Sequence, residues 1–215
     1  MNDKKTIVCF GDSNTHGYNS KTMGRFRQDE RWPSLLQQKL GSGYDVKEEG
    51  LSGRTTVFED PLHEGLSGLS YLYPCLMTHE PVDLLIIMLG TNDVKQRFGA
   101  TPQNIAVGME RLIRKAQTAT EAWAGQPNIL LIAPPPIEPG YGTTFVSGEM
   151  GELCVEKSRA LAPFFQEVAQ RLGCHFLDAA SIEGMGMYPY DYMHLSPEAH
   201  RALAGHLAHW IPTLL

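Results

Sequence analysis

Short apolar runs recur along the chain at residues 6–10, 44–47, 83–89, 128–133 and 175–177, each bounded by polar or glycine-containing segments. This is the pattern of β-strands. The third run contains Leu84-Leu85-Ile86-Ile87-Met88-Leu89, apolar at every position, as a strand covered on both faces requires, and it is predicted to lie at the centre of a sheet. Longer stretches at 32–40 and 66–79 read as helices, although Pro74 is expected to kink or break the second. Thr101-Pro102 supplies a capping residue and a first-turn proline, and Ile105, Met109, Leu112, Ile113 and Ala116 follow at helical spacing. Residues 149–172 form the next helical region, and Ser196-Pro197-Glu198 starts a last helix ending near Trp210. Strands alternating with helices imply an α/β fold with a parallel sheet covered on both faces.

The irregular stretches, 19–31 and 134–148, each follow a candidate strand and should overhang one sheet edge, where they would form the substrate walls. With no repeat and no linker, residues 1–215 are read as one domain, and 42% hydrophobic residues suffice for a full core. The net charge of −6, without charge blocks or an aromatic-basic stripe, argues against a nucleic-acid partner. The apolar run after Met1-Asn2-Asp3-Lys4-Lys5 is too short for a secretory core, and no run approaches the roughly 18 apolar residues of a membrane span. A cytoplasmic protein without a membrane partner is the expectation. Cys9, Cys75, Cys154 and Cys174 are scattered, without Cys-x-x-Cys spacing, and are read as reduced, mostly buried thiols.

Chemistry concentrates where strand-like runs end. Gly11-Asp12-Ser13 follows the first run, Gly50-Leu51-Ser52-Gly53 the second, Gly90-Thr91-Asn92-Asp93 the third, and Asp191-Tyr192-Met193-His194 lies near the C terminus. A serine hydroxyl is a weak nucleophile until an imidazole accepts its proton and a carboxylate orients that imidazole. Ser13, His194 and Asp191 can fill these roles. Taken singly, the first and third segments could be capped turns, and Asp191 with His194 could be a surface pair or half a metal site. Asp12 and Asp93 are read mainly as scaffolding for the loops. Among the histidines, His206 and His209 share a helix face without a carboxylate or cysteine at ligand spacing, so no metal is assigned. His63 and His79 carry no argument, and Trp32 is read as core or subunit contact.

Together, Gly11-Asp12-Ser13, Gly53, Gly90-Thr91-Asn92-Asp93 and Asp191-x-x-His194 resemble, in order, the four blocks of the SGNH (GDSL-type) hydrolases, across positions 11–194 of 215. The stretches 48–56 and 86–93 are similar to its arylesterase and acyltransferase (perhydrolase) branch. The resemblance implies a flavodoxin-like SGNH hydrolase fold with about five parallel strands. It also implies an oxyanion hole made by the backbone N–H groups of Ser13 and Gly53 and the Asn92 amide. The activity implied is that of a cofactor-independent serine esterase acting on short-chain aryl or alkyl esters through an acyl-enzyme, with acyl transfer as an extension. A carbohydrate O-acetylesterase, which needs a wider and more polar cleft, is the alternative enzyme; a catalytically silent small-ligand-binding protein is the alternative of another class. His16, Tyr18, Tyr192 and Met193 are the candidate substrate-binding residues, in an entrance rich in Met and Tyr from 185 to 193. Relatives in that branch imply a homo-oligomer.

Overall fold

The computed structural model describes residues 4–215, so the lead-in from Met1 to Asp3 lies outside the described residues. Strand β1 (Lys5–Gly11) leads to a four-residue helix α1 (Ser13–His16) and a small hairpin, β2 (Tyr18–Asn19) with β3 (Gly24–Arg25). Then follow α2 (Trp32–Leu40), β4 (Tyr44–Gly50), α3 (Gly68–Thr78), β5 (Leu84–Met88), α4 (Pro102–Thr118) and β6 (Ile129–Ala133). The remainder is α5 (Ser147–Met150), α6 (Cys154–Arg159), α7 (Leu161–Leu172), β7 (His175–Asp178) and α8 (Pro197–Trp210). Five strands form one parallel sheet in the order β4-β1-β5-β6-β7. β5 is central and wholly buried, as its unbroken apolar run predicts.

Side chains alternate across the sheet and meet a different helical layer on each face. Val8, Phe10, Leu85, Ile87 and Leu131 pack with Leu72, Leu112, Ile113 and Phe165 from α3, α4 and α7. Ile7, Cys9, Ile86, Leu130 and Ile132 pack with Leu36 of α2 and Leu203 and Leu207 of α8. Each such side chain contributes about 1.5–3 kcal/mol on burial, so the two layers fix the strand ends that carry the loops. From β1 the chain steps outward to β4, then back past β1 to β5. The strand order therefore reverses between β1 and β5, which opens a crevice at their C-terminal ends.

Helix starts follow the sequence closely. Thr101 and Asn104 form a reciprocal capping box at α4, and the Ser196 hydroxyl accepts from the Ala199 N–H at α8. Other elements differ. Residues 149–172 split into three helices: Gly151 (φ +75°) and Leu153 (φ +62°) adopt left-handed backbone between α5 and α6, and α6 gives way to α7 at Ala160. Pro74 does not break α3; it lies on the solvent side, where the carbonyl deprived of a partner can be hydrated. Within 19–31 the hairpin replaces part of the expected irregular stretch. β4 is the half-buried outer strand, and the Gln37 amide of α2 sits against its free edge, accepting from Val46 N–H (2.8 Å) and donating to Tyr44 C=O (3.1 Å). Trp32 is fully buried in the α2–α8 layer. Among the described residues no helix is long and apolar enough to cross a membrane.

Candidate active site

At the end of β1 the backbone must turn sharply under the sheet edge. A Cβ on Gly11 would fall 2.9 Å from the Met88 carbonyl and 2.0 Å from Thr15 Oγ1, so glycine is required there. Asp12 then caps α1 by accepting the Asn14 N–H at 2.9 Å, which places Ser13 at the first helical position, only 5% exposed.

The partner of Ser13 arrives from a tight turn before α8. His194 Nε2 lies 2.8 Å from Ser13 Oγ, and His194 Nδ1 lies 2.5 Å from Asp191 Oδ2. Asp191 Oδ1 accepts the backbone N–H groups of Met193 and His194, both at 3.1 Å, so both carboxylate oxygens are engaged. Burial acts to raise the Asp191 carboxyl, but the hydrogen bond and charge of His194 and the two backbone donors outweigh it and hold the group below its ordinary range. Tyr192, at φ +59°, makes the turn between them. Asn14 fastens the two halves of the site: its Nδ2 donates to Met193 C=O (3.4 Å) and its Oδ1 accepts the Leu195 N–H (2.9 Å), bracketing His194. The Tyr18 ring packs on the His194 ring, with centroids 4.6 Å apart.

The third and fourth contributions come from the loops after β4 and β5. Gly53 has φ +88°, and a Cβ there would lie 2.9 Å from Leu66 Cδ1. Asn92 Nδ2 donates to the Arg54 carbonyl at 3.1 Å, which uses one amide hydrogen and leaves the other free for the cavity. Arg54 is buried with its guanidinium 4.3 Å from the Phe10 ring, and it donates to the carbonyls of Gly11 (2.9 Å) and Glu49. The loop is thereby fixed to the end of β1. Asp93 accepts from both the N–H and the hydroxyl of Thr56. Asp12 and Asp93 thus act as loop braces; burial pushes each carboxyl up to about 6, with Asp12 adding to the rise at Asp93.

Ser13, Gly53, Asn92 and His194 line one cavity of about 610 Å³. Of the candidate substrate-binding residues, Tyr18 and Met193 also line it; His16 and Tyr192 do not. The His16 backbone packs so tightly on Gly50 that a Cβ there would meet His16 N at 2.1 Å, and the Tyr192 ring lies against Gly140. The walls differ from expectation as well. Phe145 and Val146 come from the 134–148 stretch, but no residue of 19–31 lines the cavity. Its place is taken by Leu62, His63, Glu64 and Leu66, with Lys95, Glu149 and Met150 completing the wall. Lys95 is nearly buried and bonds Glu149 at 3.0 Å, and Arg97 and then Lys95 hold the Glu149 carboxyl down at about 2. Sequence reasoning missed this charged wall and Asn14; only the position of Asn14 beside Ser13 hinted at a role. His200 is fully buried and accepts the Trp32 N–H, whereas His206 is exposed on α8.

The GDSL-like lipase/acylhydrolase family model matches residues 9–202. The M. smegmatis aryl esterase structure superposes with a TM-score of 0.88 at 37% identity, covering 98% of this chain and 100% of that one. A carbohydrate acetylesterase family member from Sinorhizobium meliloti gives the same TM-score and identity over 98% and 99% of the two chains. An acetylxylan esterase from Xylanibacter ruminicola is 25% identical over 192 residues, 82% of this chain; the chain spans 36% of the length of that relative. A family match over most of the chain, together with near-complete superposition on structures of esterases, places this chain in the GDSL-like lipase/acylhydrolase family.

Proposed function

We propose that the protein hydrolyses short-chain esters, acetyl-type above all, through an acyl-enzyme on Ser13. The observation that carries this reading is the unbroken hydrogen-bond chain from Asp191 through His194 to Ser13, opening into a cavity that also presents Gly53 and Asn92. His194 Nε2 takes the Ser13 proton as Oγ attacks the ester carbonyl, and Asp191 stabilises the resulting imidazolium. The oxyanion is received by the N–H groups of Ser13 and Gly53 and by the free hydrogen of the Asn92 amide. His194 then protonates the leaving alcohol or phenol. Water, activated by the same imidazole, releases the acid in the second half-reaction.

Leu62, Leu66, Phe145, Met150 and Met193 favour an aryl or alkyl leaving group. A second reading, carbohydrate O-acetyl hydrolysis, is favoured by His63, Glu64, Lys95 and Glu149 on the same cavity, which can hydrogen-bond hydroxyls. Comparing kcat/KM for phenyl acetate and acetylated xylose decides between them. Stoichiometric labelling of Ser13 by a fluorophosphonate, located by peptide mass spectrometry, tests the nucleophile, and labelling elsewhere overturns it. The apolar lining also supports transfer of the acyl group to added alcohol or peroxide. Transfer product no greater than the alcohol-to-water mole ratio predicts would leave plain hydrolysis.

A further inference from the structure

Away from the catalytic crevice, on the flank where α3 crosses β4, three side chains with different donor atoms converge. Cys75 and His79 are one helical turn apart, so they project from the same face of α3 and its C-terminal cap. Glu49 reaches the same point from β4. One donor atom from each, a thiol sulfur, an imidazole nitrogen and a carboxylate oxygen, lies within 4.8 Å of the other two. His79 Nε2 already lies 2.6 Å from Glu49 Oε1. Cys75 is fully buried, while Glu49 and His79 are each partly exposed, with side-chain exposures of 19% and 17%.

We propose that Glu49, Cys75 and His79 form a binding site for a zinc-class divalent cation, separate from the hydrolytic machinery. Cysteine, histidine and carboxylate are the donors zinc takes, at about 2.0–2.3 Å, which sets donor-to-donor separations near 3.5 Å in a tetrahedron. The observed cluster reaches that geometry through side-chain adjustments of roughly 1 Å, with the fourth position left to water. The cation displaces one proton, that of the Cys75 thiol, while the hydrogen between His79 Nε2 and Glu49 gives way to the metal and the neutral imidazole carries its hydrogen on Nδ1. The thiol proton is released to solvent as the metal–sulfur, metal–nitrogen and metal–oxygen bonds form. Because the thiol must lose its proton to bind, uptake weakens as pH falls.

The neighbourhood also chooses the type of cation. Arg54 lies beside both Cys75 and Glu49, and its positive charge disfavours hard ions held by charge alone. A thiolate ligand compensates for a borderline or soft ion and gives magnesium or calcium little. Glu49 and His79 are themselves partly exposed, and His79 also lines a surface hollow with Asp45, Lys47 and Pro81.

The test is titration of the chelator-treated full chain with Zn²⁺ and Co²⁺, read by equilibrium dialysis and by absorption. The expected result is one equivalent bound, with a thiolate-to-cobalt charge-transfer band that is absent in Cys75→Ser. Affinity should fall at least about tenfold in His79→Gln and Glu49→Gln, and an excess of Mg²⁺ should not compete. Zn²⁺ should raise the Tm of wild type but not that of His79→Gln. Because His79 is partly exposed, its variant keeps the test open even if Cys75→Ser fails to fold. Absence of the band in wild type, binding unchanged in His79→Gln, or binding lost instead in His206→Gln/His209→Gln would overturn the site.

Discussion

On the floor of the cavity Ser13, His194 and Asn92 are 5%, 5% and 4% exposed, whereas on the facing wall Leu62 is 66% and Phe145 52% exposed. The floor residues hang from strand ends or from turns whose backbone groups are engaged: Asp12 on Asn14, Asp191 on Met193 and His194, Asn92 on Arg54. The wall combines exposed loop residues with the short helix α5 and is tied by ion pairs such as Arg97 with Glu149. Exposed pairs of that kind are worth about 0–1 kcal/mol each. The difference teaches that the proposed catalytic groups sit buried on a hydrogen-bonded frame while part of the facing wall stands in solvent, so substitutions on the two sides should fail in different ways.

The hardest break is Ser13→Ala. It should lower kcat by on the order of 10⁴ or more with Tm unchanged, since the acyl-enzyme cannot form. Turnover within tenfold of wild type would refute the serine mechanism. Asn92→Ala should lower kcat by about 10²–10³ while KM barely moves, because the oxyanion it binds exists only near the transition state. A rise in KM alone would make Asn92 a substrate-binding group. Asn14→Ala should lower kcat by about 10- to 100-fold through misplacement of His194, and lower stability by about 1–3 kcal/mol for two buried hydrogen bonds. If stability fell but the kcat and pH profiles matched wild type, Asn14 would be a fold residue only.

Wall substitutions should be gentler. Leu62→Ala should change the ratio of kcat/KM for phenyl acetate and acetylated xylose by about 10-fold or less, with kcat for the better substrate nearly constant. A collapse of kcat would erase the contrast between floor and wall. A separate effect, on stability and not on turnover, concerns pH. Asp93 ordinarily titrates near 3.8 and is pushed to about 6 by burial, so the folded state holds a proton that the unfolded state has lost across that window. Its contribution therefore favours folding at low pH and is lost as pH rises through about 6. Asp93→Asn should remove this slope, gaining Tm relative to wild type as pH climbs from 4 to 6. A constant difference between the two melting curves would contradict the assignment.

Legibility in the sequence follows the same division. β5 could be placed at the centre because both faces are buried and its residues show no alternation. That Ser13, Gly53, Asn92 and His194 would meet at one cavity was legible because each sits at a short, fixed distance from a strand end or within one turn. The segment from Leu62 to Leu66 carried no such signal: it reaches the cavity through pairing of Thr55 with Ser67 and through the Asp60–Arg97 bond, which join distant positions. His16 and Tyr192 failed as pocket residues because proximity along the chain does not report which way a side chain turns. Pro74 misled for a related reason: its cost depends on whether water can reach the orphaned carbonyl.

The Gln37 amide on the outer edge of β4 has a consequence for behaviour in crowded solution. Offering one acceptor and one donor in the spacing of a neighbouring strand, it occupies the hydrogen-bonding positions through which a second molecule could extend the sheet. Asp45 and Lys47, paired at 2.8 Å on the same strand, add charges that an incoming strand would have to desolvate. Gln37→Leu should therefore leave the cavity intact yet make the protein prone to edge-to-edge aggregation at high concentration, a defect visible by light scattering well before any loss of turnover.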